Sequence, residues 1–305
     1  MSLVVVGSVA FDAIETPLGS TNGKIIGGAA TFISLVSSYF CPRVNLVAVV
    51  GGDFPKETIS LFKAKGINTE GLQIKENEKS FFWAGKYHDD LNSRDTLVTE
   101  LNVLGTFDPV IPESYQDCEY LMLGNLSPDV QMTVLKRLRK RPKLVVMDTM
   151  NFWMRPEVLP ELKAVLAQVD VLSINDEEAR ILSGEHSLVK AAKVIKKMGP
   201  KTLIIKKGEH GALLFGPQDE LFYAPALPLE EVYDPTGAGD CFAAGFIAHM
   251  ASKNSTSLED MKRGVIKGSA MASFCVEKFG TERIINLTAD EIAAREQLFA
   301  DLVKI

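Results

Sequence analysis

The sequence predicts an α/β fold, with a mostly parallel central sheet covered by helices on both faces and a small β addition. Two observations carry this. Short apolar, β-branched runs recur along the chain with helical stretches between them, and two segments break that rhythm. The runs at 3–6, 46–50, 120–123, 144–147, 171–174 and 203–205 are apolar throughout except at Ser173, as in Val4-Val5-Val6 and Leu203-Ile204-Ile205. Strands buried on both faces read this way, whereas half-exposed strands alternate. Helical stretches at 128–140, 156–168, 187–198 and 238–251 supply the crossovers that parallel neighbours require. The exceptions are 7–26 and 79–107, the second carrying Phe81-Phe82-Trp83-Ala84-Gly85-Lys86-Tyr87 and Thr96-Leu97-Val98-Thr99-Glu100-Leu101 around a polar turn. Both read as antiparallel hairpins, and an edge sheet or dimer surface is the plain reading of them. The chain contains no repeat, low-complexity tract or long linker, so one domain spanning 1–305 is expected.

Composition narrows the class. The 305 residues are 46% hydrophobic and 24% charged, near the average for globular domains, and enough to bury a substantial core. A net charge of −6 disfavours a nucleic-acid or anionic-membrane partner, since both need a basic face. No apolar run approaches the ~18 residues of a membrane span, and the start lacks a basic n-region, so a cytoplasmic location is expected. Cys41, Cys118, Cys241 and Cys275 show no C-x-x-C spacing, and His88, His186, His210 and His249 are scattered. Neither a zinc site nor a disulfide framework is indicated. Cys241, at a helix start, is either a small core residue or a thiol of lowered pKa.

The most informative stretch is Asp234-Pro235-Thr236-Gly237-Ala238-Gly239-Asp240, which runs straight into an apolar helix. Bare glycines at a helix start leave backbone N–H groups free and let a phosphate approach the positive end of the helix dipole. A carboxylate at Asp240 would be repelled by that phosphate unless it takes the proton from a hydroxyl attacking phosphorus. The plainer reading is a glycine loop with a first-turn acid.

The stretch Asp234-Pro235-Thr236-Gly237-Ala238-Gly239-Asp240-Cys241-Phe242-Ala243-Ala244-Gly245-Phe246 resembles the C-terminal signature of the ribokinase-like (PfkB) carbohydrate kinase family. Further likenesses occur in the family's order: Val4-Val5-Val6-Gly7-Ser8-Val9-Ala10-Phe11-Asp12, Gly27-Gly28-Ala29-Ala30, Val50-Gly51-Gly52-Asp53-Phe54, Lys65-Gly66-Ile67-Asn68-Thr69, and the N-x-x-E motif Asn175-Asp176-Glu177-Glu178. The resemblance covers nearly the whole chain. It implies a three-layer α/β/α sandwich with a β lid built from about 8–26 and 79–107. It also implies an ATP-dependent kinase acting on a hydroxymethyl group of a sugar or nucleoside. By that likeness Asp240 is the catalytic base, and Gly237, Ala238 and Gly239 form the anion hole. Asp12, Gly27 and Gly28 hold the acceptor, with Arg94 of the lid tip a further candidate. Asn175, Lys206, Gly208 and Gly211 meet the nucleotide, and Glu178 organises Mg²⁺, although a first-turn helix acid is the other reading of Glu178. Adenine would lie between 208–211 and the helix around 270–279. The likeness leaves room for a monovalent cation and for a homodimer through the lid.

The chain departs from the family pattern at three places. Phe32 stands where relatives often carry a sugar-binding Asn, Lys206 where a Thr commonly meets phosphate, and Asn151 lies one place later than the usual D-x-N after Asp148. The first leaves the acceptor open, and the D-x-N role is not carried over. A P-loop is excluded because Gly23-Lys24 is followed by Ile25, and a dinucleotide fold because Gly7-Ser8-Val9-Ala10-Phe11-Asp12 lacks G-x-G-x-x-G. The alternative from another class is a non-catalytic sensor of a sugar or nucleotide on the same fold. An intact Asp240 argues against it.

Overall fold

A computed structural model describes residues 2–304. Its strands are Leu3–Val6 (β1), Ala10–Thr16 (β2), Gly19–Ser20 (β3), Ile25–Gly27 (β4), Val44–Gly51 (β5), Ile67–Lys75 (β6), Phe81–Tyr87 (β7), Arg94–Glu100 (β8), Tyr120–Leu123 (β9), Leu144–Asp148 (β10), Val171–Asn175 (β11), Thr202–Lys206 (β12), Ala212–Phe215 (β13) and Leu221–Ala224 (β14). Its α-helices are Ala29–Ser37 (α1), Lys56–Ala64 (α2), Pro128–Arg137 (α3), Leu159–Leu166 (α4), Asp176–Ser183 (α5), Leu188–Lys196 (α6), Ala238–Lys253 (α7), Leu258–Cys275 (α8), Glu282–Ile285 (α9) and Ala289–Leu302 (α10).

Nine strands form one sheet in the order β14-β13-β12-β11-β10-β9-β1-β5-β6. Neighbours from β12 through β6 are all parallel, and β13 runs antiparallel to both of its neighbours. The apolar runs have the physical cause expected of them. Along β1, Leu3 and Val5 enter one core and Val4 and Val6 the other, and none of the four has exposed surface. The first core holds residues of α1, α7 and α8 together with Phe62 of α2 and Ile292 of α10. The second holds Val130, Leu162, Ala179 and Ile195 from α3, α4, α5 and α6. Two helical layers therefore enclose the sheet. Helix α7 is apolar all round, with 241–251 buried throughout, as a helix packed between neighbours must be.

A second sheet has the order β3-β2-β7-β8, with β4 on β2. It is built from the two segments that break the α/β rhythm, with one difference from the sequence expectation. Each segment pairs antiparallel within itself, but β2 and β7 join the two in parallel, with Asp12 opposite Trp83. The end of the second segment is not strand: 102–106 form a 3-10 turn that buries Val103. No helix among the described residues is long and apolar enough to cross a membrane.

Candidate active site

The C-terminal edge of the parallel sheet brings together polar residues that are far apart in sequence. Asp148 ends β10, Asn175 ends β11 and Lys206 ends β12, with Asn175 and Lys206 in register. Crevices beyond the carboxyl ends of parallel strands are where α/β sheets bind ligands. Helix α7 points its N-terminus at this edge.

That N-terminus is shaped by Gly237, which caps the helix in the left-handed region at φ 79°. A β-carbon there would fall 2.5 Å from the Phe32 ring, so both backbone and packing demand glycine. Phe32 is buried under the turn, so its ring serves this packing. Buried Asp234 fixes the preceding loop by accepting hydrogen bonds from the amides of Thr236 (2.8 Å) and Gly280 (2.8 Å). The Thr236 hydroxyl reaches the Tyr87 hydroxyl of the small sheet at 3.1 Å. Among the described residues the amides of Gly237, Gly239 and Asp240 have no hydrogen-bond partner in the protein. The Ala238 amide departs from expectation: it donates to the Pro235 carbonyl at 3.2 Å, because the chain makes a tight turn before the helix begins. The free donors are thus those of Gly237, Gly239 and Asp240.

Lys206 lies directly against this turn. A β-carbon on Gly239 would stand 3.1 Å from the Lys206 Nζ, and the ammonium bonds both oxygens of buried Asp148 at 3.1 and 3.2 Å. Burial alone would strip the proton from Lys206, but the charges of Asp148 and Glu178 hold its pKa above the ordinary lysine value. Gln131 donates to the Asp148 carbonyl at 3.2 Å and steadies the end of β10. Asp148 had no role assigned from sequence; an acid closing an apolar strand was the signal that could have singled it out.

Asn175 and Glu178 form a reciprocal capping box at the start of α5. Asn175 accepts from the Glu178 amide at 2.7 Å, and the Glu178 carboxylate accepts from the Asn175 amide at 2.9 Å. The Asn175 side-chain oxygen is therefore spent on the helix. Glu178 is only 7% exposed, which removes the exposed first-turn acid as a reading. Burial raises its pKa to about 7, with Lys206 pulling back and Asp148 adding to the rise. One Glu178 oxygen serves the cap. The other is free to face a hydrated cation, and among the described residues no cluster of three acidic, His or Cys side chains could grip a bare metal ion.

Asp240 occupies the first turn of α7 and keeps part of its surface open to the cleft. Desolvation by the surrounding protein raises its pKa to about 7; the Asp148 charge adds to this and Lys206 and Arg94 oppose it. Asp12, 5% exposed, is raised to about 7 chiefly by burial, with the Gly28 amide stabilising its charged form. Gly27 has no room for a side chain, since a β-carbon would lie 1.8 Å from an Asp12 oxygen. Arg94, exposed at the start of β8 opposite Tyr87, is near enough for its charge to lower the pKa values of Asp240 and Glu178.

The remaining nucleotide candidates are placed differently. Gly208 begins a 3-10 turn after β12, and a β-carbon on it would fall 2.6 Å from the Asn92 Oδ1, so the turn between β7 and β8 touches the turn after β12. Gly211 packs against the Ala224 carbonyl of β14, where a β-carbon would come within 2.1 Å. Its position is explained by strand packing. Cys241 is fully buried beside Cys275 and its thiol pKa is pushed well up, so the low-pKa reading fails because burial outweighs the helix dipole.

A model of the pfkB family carbohydrate kinases matches residues 1–287. The cytidine kinase of Thermococcus kodakarensis is 32% identical over 254 residues, covering 81% of this chain and 88% of that protein. The nucleoside kinase of Methanothermobacter thermautotrophicus is 26% identical over 322 residues, covering 95% and 94%. An E. coli structure of the ribokinase type, solved with ATP and Mg²⁺, superposes with a TM-score of 0.81 at 20% identity over 97% of this chain and 99% of that one. That likeness shows a shared ribokinase fold.

Proposed function

We propose, from the premise that this chain belongs to the pfkB family of carbohydrate kinases, that Asp240 is the base of its phosphoryl transfer and the start of α7 its anion hole. The enzyme is a phosphotransferase that uses ATP and acts on a hydroxyl of a sugar or nucleoside. The observation that carries the residue assignment is the pairing of unpartnered amides at Gly237, Gly239 and Asp240 with a carboxylate in the same turn. Asp12, backed by Gly27 and Gly28, accepts the acceptor's hydroxyls and turns its hydroxymethyl group toward Asp240. Asp240 takes the hydroxyl proton, and a pKa near 7 suits a group that must be ionised before transfer and protonated after it. The helix-start amides and the Lys206 ammonium face the charge that spreads over the phosphoryl oxygens. Arg94 adds positive charge from the lid. The small sheet, tied to the anion loop through Tyr87 and Thr236, excludes water that would otherwise compete for the phosphoryl group.

Glu178 would hold Mg²⁺ from the outer shell through water, since that ion keeps most of its hydration, and the bound ion would supply positive charge against the phosphates. Asn175 supports Glu178 by fixing its helix. Gly208 lies at the nucleotide side and Gly211 shapes the turn behind it. We further assign a single kinase domain, a pairing of two copies through the lid, and a cytoplasmic setting that fits ATP use and four unpaired cysteines. No observation favours the binding-only alternative. A panel of nucleosides, pentoses, ketoses and deoxy-sugar acids incubated with ATP and Mg²⁺, with products identified by phosphorus NMR, tests the reading. Phosphorylation at a hydroxymethyl group is expected, and ATP turnover that no acceptor in the panel stimulates would contradict it.

A further inference from the structure

Resting on the kinase reading above, we propose that the acceptor is a nucleoside and that Trp83 selects it, the indole forming a platform on which the base stacks. Trp83 lies opposite Asp12 in the parallel β2–β7 pair, so indole and carboxylate share one face of the small sheet. Tyr87, four residues on and on the same face, meets Thr236 at the anion loop. Platform, hydroxyl-binding carboxylate and phosphoryl site therefore stand along one wall of the cleft.

The indole is held flat. A β-carbon on Gly85, two residues on and on the same face, would fall 2.1 Å from its ring, and the indole N–H reaches the Thr96 hydroxyl at 3.4 Å. One ring face thus lies along the sheet at a position that only glycine leaves open, and the residue remains partly exposed. The Arg94 guanidinium stands over the ring 5.7 Å from its centroid, within cation–π reach, so a base that stacks on this face takes the place of that contact. A flat heteroaromatic ring is the partner that such a face accepts, because every base has a π-face and stacking tolerates differences in sequence and substituents. A free pentose held at Asp12 carries no ring that could reach it.

The intact protein has two tryptophans, Trp83 and Trp153, which allows a test that does not depend on turnover. Cytidine, adenosine, D-ribose and D-fructose are titrated while indole emission is followed in the wild type and in Trp83→Phe, and kcat/KM is measured for each acceptor in the wild type, Trp83→Ala and Gly85→Ala. The expected result is quenching by nucleosides but not by ribose or fructose, lost in Trp83→Phe. Trp83→Ala should lower kcat/KM for nucleosides about 10–100-fold, chiefly through KM, the range of one base–aromatic stack. Ribose turnover should change less than about threefold. Gly85→Ala, which keeps the indole but displaces it, should lose the same preference. Nucleosides and free sugars falling alike, or nucleoside kcat/KM within about twofold of wild type in Trp83→Ala, overturns the proposal. If no acceptor is phosphorylated, the kinase reading has failed separately; quenching by nucleosides would still support the platform, and its absence would overturn it.

Discussion

At the scale of single residues, the site is a set of buried charges held in tension. Asp12 has a fixed place because Gly27 crowds it from one side and the Gly28 amide meets its carboxylate. If it accepts acceptor hydroxyls, Asp12→Ala should raise KM for the acceptor by the equivalent of roughly 1.5–3 kcal/mol per charge-assisted bond and leave KM for ATP nearly unchanged. Equal weakening of both substrates would make it a support of the cleft. Lys206 permits a sharper separation of structure from binding. Lys206→Met strands Asp148 and should cost on the order of 3–5 kcal/mol of stability. Adding Asp148→Asn should restore most of the lost Tm while ATP affinity stays weak. Recovery of both by the second substitution would reduce the pair to a structural ion pair.

At the scale of elements, helix starts do much of the positioning. The α5 start uses Asn175 and Glu178 on each other, so the N-x-x-E motif is first of all a capping box, and the oxygen Glu178 keeps free is what a hydrated cation could use. The α7 start depends on a glycine in a left-handed turn above the Phe32 ring. Gly237→Ala should shift the free amides and lower kcat roughly 10²-fold, as small misplacements of an oriented group do, with acceptor KM little changed. A kcat within about twofold of wild type would show that the amides of this turn do not act on the reaction. The glycine motif was legible in the sequence because the turn leaves no room for a side chain at Gly237, against Phe32, and little at Gly239, against Lys206. The Ala238 amide was misjudged because sequence gives no sign of which N–H a turn will consume. Tyr87 and Asp148 escaped notice because their roles come from register and strand order, which local pattern does not encode.

At the scale of the whole molecule, the six buried strands were readable because burial on both faces leaves apolar runs with at most one polar residue. β6 was not, since INTEGLQIK is mixed in burial, and neither was β14, whose LFYA is largely exposed at the other edge of the sheet. The fold concentrates carboxylates where the strands end, and this has a consequence for stability. Asp12, Glu178 and Asp240 are raised to about 7 from ordinary values near 4, so between these limits the folded chain holds more protons than the unfolded one. Stability from this source is full below pH 4 and is lost as pH rises through 7. Unliganded protein should therefore lose Tm between pH 5.5 and 8, and Asp240→Asn should lessen that loss; a Tm that rises over this window would contradict the assigned environments. The central claim is that Asp240 is the base, and Asp240→Asn tests it most directly, because the amide keeps the shape and cannot take the proton. With ATP and the best acceptor at saturation, kcat should fall by ~10²–10⁴ while ATP and acceptor still bind by calorimetry. A variant that binds both substrates and turns over at a near wild-type rate would contradict the account.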